Sequence, residues 1–194
     1  VTFSPRCYDP VGEPMPRVQV SDDAAIHPQA KAELDRQRAA HGRVTNMKRT
    51  LGRSPAALTA LMQWYPLRDE VAAFLDDRQT TLFAYAVSTQ SDCLICSTFF
   101  RRLLIDAGDD PDRLSLDIRA EAVVAYGRAL ARNSNDVPDG VFEAVRAFLS
   151  DDQLVALTAF GGMMIATNVF NNALQIELDE YLWNYRATSR GSTT

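Results

Sequence analysis

Apolar residues recur every three to four positions along most of the chain, and no segment alternates with period two, so the pattern predicts helices throughout. The first predicted helix runs over 23–41, from Ser21 or Asp22 as cap to Gly42 as stop, with a thin apolar stripe of Ala25, Ala32 and Leu34. A short helix follows over 44–50, closed by Gly52. Ser54-Pro55 then opens another, with Ser at N-cap and Pro at N1. Ala57, Leu58, Leu61 and Met62 form its buried stripe, and Trp64-Tyr65-Pro66 ends it. Residues 69–76 add a turn or two, with Val71, Phe74 and Leu75 facing inward.

The second half is more strongly patterned. A helix over 77–90 carries Leu82, Tyr85, Ala86 and Thr89 on one face. Ser91 or Asp92 caps the next, over 93–107, and Gly108 is its C′ residue. Asp117 opens a helix to Asn133, and Pro138 starts one to Leu149. Ser150 and Gln153 form a capping box that opens a long helix to Leu174. The predicted fold class is all-α, a single-domain helical bundle over 23–186. Pro5, Pro10, Pro14 and Pro16, with Gly12 among them, forbid a regular helix and make 1–22 an extended N-terminal arm. Residues 187–194 are polar and read as a flexible tail.

Composition narrows the classes. The chain has 194 residues, 46% hydrophobic and 23% charged, the balance of a soluble globular domain. A net charge of -5 without a basic stripe argues against nucleic acid as a partner. No apolar run of the length of a membrane span occurs, and the first residues, from Val1, lack the apolar core of a signal peptide. The expected location is the cytoplasm. Three cysteines, Cys7, Cys93 and Cys96, are too few for a disulfide framework. In a reducing compartment a paired motif is redox-active or metal-binding more often than structural.

Ser91-Asp92-Cys93-Leu94-Ile95-Cys96 therefore holds the candidate chemistry. At the start of a helix both sulfurs lie on one face of the first turn, where the helix dipole favours thiolate. Asp92 opposes this with a negative charge beside Cys93. Buried structural cysteines remain the alternative. No second ligand pair accompanies the motif, so zinc is not expected, and no other metal or cofactor is implied. His27 and His41 read as surface residues. Trp64, Tyr65, Tyr85, Phe99 and Phe100 are candidates to line an apolar pocket beside the cysteines, or ordinary core. Asn168, Asn171 and Asn172 sit late in an apolar helix and read as capping or contact residues, or as polar lining of that pocket. Gly161-Gly162 in the same helix suggests close approach of a neighbour.

Three segments resemble the carboxymuconolactone decarboxylase superfamily, and especially its alkylhydroperoxidase-D-like branch. They are HGRVTNMKRTLGRSPAAL at 41–58, the stretch 82–104 around Cys93 and Cys96, and LSDDQLVALTAFGGMMIATNVFNNAL at 149–174. The resemblance spans 41–176. It implies a compact helical bundle that forms homo-oligomers and a Cys93–Cys96 dithiol that cycles with a disulfide. The implied partners are a small-molecule hydroperoxide and a dithiol reductant. Cys96 would attack and Cys93 resolve, or the reverse. The family's redox branch also has a Glu twelve residues before the first cysteine and a His four after the second. Here those positions hold Thr81 and Phe100. Neither is a base at neutral pH, and general acid–base help is typically worth about 10²–10⁴-fold. Asp92, Tyr85, Ser88 and Glu70 are the candidates to replace the relay. The alternatives are non-redox chemistry on an organic acid or lactone in the same pocket, and a non-catalytic binding protein.

Overall fold

The structure is a computed structural model and describes residues 16–20, 22 and 26–187. Cys7 and the tail from 188 lie outside these residues. Among the described residues all regular structure is helical. The elements are α1 (Pro28–His41), α2 (Asn46–Leu51), α3 (Pro55–Met62), α4 (Trp64–Leu75), α5 (Asp77–Gln90), α6 (Leu94–Asp106), α7 (Ile118–Asn133), α8 (Asp139–Arg146) and α9 (Asp151–Leu174), then a 3₁₀ helix, Glu180–Tyr185.

Polar caps set most of the boundaries. Ser54 accepts from the Ala57 N–H, Asp117 from that of Ala120, and Ser150 and Gln153 form the expected reciprocal box. Two predicted boundaries are corrected. The first helix begins at Pro28, not 23, because His27 is the cap: its Nδ1 accepts the Gln29 N–H and Pro28 supplies the fixed φ of N1. Trp64-Tyr65-Pro66 does not end a helix but opens α4. Pro66 falls in the first turn, where a missing N–H has no intrahelical acceptor to lose.

The core is organised around α5, which packs against α4, α6, α7 and α9. Phe83, fully buried at its centre, stacks on Phe160 of α9 with ring centroids 5.8 Å apart. Two glycines make room for that ring. A Cβ on Gly127 would lie 3.1 Å from Phe83, and one on Gly161 2.8 Å from Leu130 and 3.1 Å from Phe83. The close approach expected of the Gly161-Gly162 pair thus belongs to Gly161 alone; Gly162 faces open space. α9 is long and apolar enough to cross a membrane by composition, yet Leu154, Leu157, Phe160 and Met164 bury its inner face in the bundle. Ala30, Leu34, Leu51, Leu58 and Met62 form a smaller core under α1 to α3. Arg17 in the arm donates its N–H to Leu174 O at 3.0 Å and its guanidinium to Ala173 O, capping the end of α9.

Candidate functional site

The cysteines sit at a corner between two helices. α5 ends in a Schellman motif: Cys93 N–H reaches Ser88 O at 3.0 Å, and Asp92 N–H reaches Thr89 O at 3.2 Å. Asp92 occupies the left-handed position of that motif, φ 49°, where glycine is usual. Cys93 closes α5 and is at the same time the N-cap of α6, while Cys96 stands on the first turn of α6. Both thiols are free and buried. The corner is tied down from α9, where Asn172 Nδ2 donates to Ser91 O at 2.9 Å.

One turn of α9 supplies the pair's polar partner. Asn171, 2% exposed, points its Nδ2 at both sulfurs, 3.3 Å from Cys96 Sγ and 3.9 Å from Cys93 Sγ. The Cys93 thiol is held below its ordinary value because the Cys96 thiol donates to it, with help from backbone N–H groups at the start of α6 and from Asn171; burial opposes this. The Cys96 thiol is pushed well above, by donating to Cys93 and by burial. The pair thus stores one proton on Cys96 and favours charge on Cys93. Exposure runs the other way: Cys93 is 0% exposed, whereas Cys96 is 6% exposed and opens onto a cavity.

That cavity, ≈ 330 Å³, lies between α2, α3, α4, α6, the lower half of α9 and the 3₁₀ helix. Its volume falls at the small end of the range of ligand pockets, about 300–1,000 Å³. One wall is apolar and carries Cys96 with Trp64, Phe99, Phe100 and Met164. Trp64 donates its indole N–H to Met164 Sδ and packs near Phe100 and Phe160. Phe99 and Phe100 meet edge to face at 5.2 Å. The rest of the lining is more polar. Lys48 of α2, 5% exposed, donates to Gln37 Oε1 and to the Tyr65 hydroxyl, each at 2.7 Å. Burial lowers its pKa to about 8, with Glu33 and Asp179 opposing the fall. Burial raises Tyr65 to about 12. His41 stacks on the Tyr65 ring at 4.6 Å, and burial and Lys48 hold its pKa down. Arg43 lies 4.0 Å over the Tyr181 ring, and Arg102 sits 5.4 Å from the rings of Phe99 and Tyr181. Asp179 accepts the Asn46 N–H at 2.9 Å, and burial raises its pKa.

The sequence-derived candidates divide accordingly. Trp64, Tyr65, Phe99, Phe100 and Cys96 line the cavity. Tyr85 and Asn168 do not. Tyr85 faces the α5–α7 side of the core, and Asn168, 1% exposed, has no hydrogen-bond partner among the described residues for either side-chain atom. None of Asp92, Tyr85, Ser88 and Glu70, the expected relay replacements, reaches the cavity either. Thr81 gives its hydroxyl to Asp77 O within α5. His41 is exposed, as a surface histidine should be, but stands at the cavity rim. Lys48, Arg43, Arg102, Asp179 and Tyr181 were not singled out from sequence, because nothing local marks them. Among the described residues no group of His, Cys, Asp or Glu could hold a metal ion.

Comparison with known proteins gives the fold a context. No protein-family model and no curated protein matches the sequence. Solved structures do. The core of a peroxidase-related protein from Ralstonia eutropha, described as an alkylhydroperoxidase AhpD core, superposes with a TM-score of 0.69 at 16% identity, covering 88% of this chain and 96% of that one. The chain has the alkylhydroperoxidase-D-like fold. Other structures with it are a putative antioxidant defence protein AhpD from Agrobacterium tumefaciens, at TM-score 0.56 and 18% identity over 66% of this chain and 94% of that one, and the debrominase Bmp8. A cysteine variant of Bmp8 in complex with 2,3,4-tribromopyrrole superposes with a TM-score of 0.70 at 14% identity, covering 87% of this chain and 94% of that one. The alkylhydroperoxidase-D-like bundle thus accounts for the helices on both sides of the cysteine corner.

Proposed function

We propose that the chain is a thiol-dependent oxidoreductase that reduces a hydroperoxide through the Cys93–Cys96 pair. The observation that carries this reading is the shared amide: Asn171 holds two adjacent thiols, one of which opens onto a ligand-sized cavity. Two adjacent thiols that differ in acidity, one of them opening onto a cavity, are an arrangement typical of functional sites.

Cys93, the more acidic of the two thiols, ionises first while the proton stays on Cys96. Substrate meets Cys96. Return of the shared proton to Cys93 frees the Cys96 sulfur as thiolate at the moment of attack. Its electron pair forms an S–O bond to the peroxide, the O–O bond breaks, and the alkoxide leaves as alcohol after taking a proton. Lys48 and Tyr65, lining the same cavity with pKa values of about 8 and about 12, both carry a proton at neutral pH. Their donors favour negative charge in the cavity, and the alkoxide takes its proton from water. Cys93 then attacks the Cys96 sulfenic acid, forming the disulfide and releasing water. A dithiol donor returns both electrons. The fold supports the reading, since structures that share it are described as peroxidase-related.

The test is steady-state reduction of cumene hydroperoxide by dihydrolipoamide, native protein against Cys96→Ser. Turnover in the native protein that vanishes in the variant is expected. Turnover unchanged by the substitution would move the cavity to chemistry that leaves both sulfurs untouched.

A further inference from the structure

The polar wall of the cavity poses an unsolved burial problem. The chain carries a net charge of -5, yet this one cavity is lined by Arg43, Lys48 and Arg102 against a single carboxylate, Asp179. Lys48 is the most enclosed of the three, and both its hydrogen-bond partners, Gln37 and Tyr65, are neutral. An ammonium has three N–H donors, so one is left over. The ion pairs among the described residues do not include Lys48. Asp179 acts on Lys48 only through space: its Oδ1 accepts the Asn46 N–H and its buried Oδ2 has no hydrogen-bond partner among the described residues, so it does not hydrogen-bond the ammonium. Of the two arginines, Arg43 lies over the Tyr181 ring with its charge acting on Asp179, and Arg102 lies beside the rings of Phe99 and Tyr181 and pairs with Asp106 at 3.6 Å. A buried cation with only neutral partners is expensive for the folded state, and a bound anion relieves that expense.

The same cavity is also aromatic, with Cys96 among Trp64, Phe99 and Phe100. We propose that the cavity is a binding site for small aromatic organic anions, the acidic head on Lys48 and the Tyr65 hydroxyl and the ring against the aromatic wall beside Cys96. The inference takes the cavity of the proposed thiol chemistry as its site and names the substrate class: an aryl carboxylate bearing the reactive group on the side away from the acid.

Binding can be measured without turnover, which separates this inference from the redox reading. The probes are 1-naphthoate and 1-naphthalenemethanol, matched in shape and different in charge, titrated calorimetrically into native protein, Lys48→Met, Tyr65→Phe and the Cys93→Ser/Cys96→Ser double variant. Native protein and the cysteine-free variant are expected to prefer the anion by about tenfold or more, as a charge-assisted hydrogen bond in a buried site supplies. In Lys48→Met the preference should collapse to within about threefold while the alcohol still binds, and Tyr65→Phe should fall between. Circular dichroism of both variants checks that the bundle is intact, and Met suits the apolar stem's burial. Equal affinity for the two probes in the native protein, binding of neither, or a preference that survives in folded Lys48→Met overturns the anion site. An anion preference that persists in a protein without peroxide turnover would remove the redox reading and leave the anion site standing.

Discussion

The two sides of the cavity lining accommodate polar groups by different means. On the sulfur side two weakly polar thiols share one amide donor from α9 and pack into the apolar core cluster. On the polar side strongly polar groups lie against rings: buried Lys48 on Tyr65, and the exposed His41 and Arg43 on Tyr65 and Tyr181. The first wall depends on one local motif, a helix corner. The second is assembled from α1, α2, α4 and the 3₁₀ helix. The contrast separates reactivity from recognition, since the first wall sets which sulfur carries charge and the second sets what charge may lie next to it.

Removing the sulfur that faces the cavity is the harshest way to break this comparison. Cys96→Ser should take peroxide turnover to background while leaving the naphthoate preference intact, which a coupled assay and a calorimetric titration check on one sample. Next in size is the loss of the buried ammonium. Lys48→Met should raise KM for an aryl-carboxylate hydroperoxide by about tenfold relative to a neutral one, with a smaller change in kcat. The same variant should unfold at a higher temperature than native protein at neutral pH, because the native site carries a desolvated charge.

The pH dependence of stability sharpens that point. Burial depresses the Lys48 pKa from 10.5 to about 8, so the unfolded chain binds this proton more tightly than the folded one. Its contribution to stability therefore rises as pH increases from about 8 toward 10.5. The groups facing it are Glu33 and His41 on α1, Tyr65 on α4, and Asp179 beyond α9. Tyr65 works against the rise near the upper end, because its raised pKa favours folding only while it is protonated. Native protein minus Lys48→Met, compared in denaturant midpoints at pH 7 and pH 9, should show the difference shrinking at pH 9.

A smaller effect is expected on the sulfur wall. Asn171→Leu should slow iodoacetamide alkylation of the pair by about fivefold at pH 7, the worth of one hydrogen bond of about 1 kcal/mol to the thiolate. The mildest change is at the corner itself. Asp92→Gly should stabilise the fold by about 0.5–1 kcal/mol by relieving a left-handed non-glycine residue, readable as a shift in denaturant midpoint.

The sequence foretold the sulfur wall far better than its partner. Ser54, Asp117 and the Ser150–Gln153 box announce helix starts because a cap is a contact between residues three apart. Cys93 and Cys96 share a helical turn, so their spacing places them. Lys48 meets Tyr65 across seventeen positions, and Asn171 meets Cys96 across seventy-five. No local period encodes such pairs. Tyr85 lies on the apolar stripe of α5, but no residue of that helix lines the cavity, and its ring packs against the core instead. His27 was similarly opaque, since histidine rarely caps a helix and Pro28 is the only local hint.

Trp64 gives the cavity an optical signature. Its indole is enclosed by Phe100, Phe160 and the Met164 sulfur, whereas the chain's other tryptophan, Trp183, is 58% exposed. Emission should contain a blue-shifted component from Trp64 and a red-shifted one from Trp183. With Trp183→Phe the remaining signal belongs to the cavity wall alone. Filling of the cavity, or conversion of the Met164 thioether to its sulfoxide, would then be visible as a colour change from a probe the protein already carries.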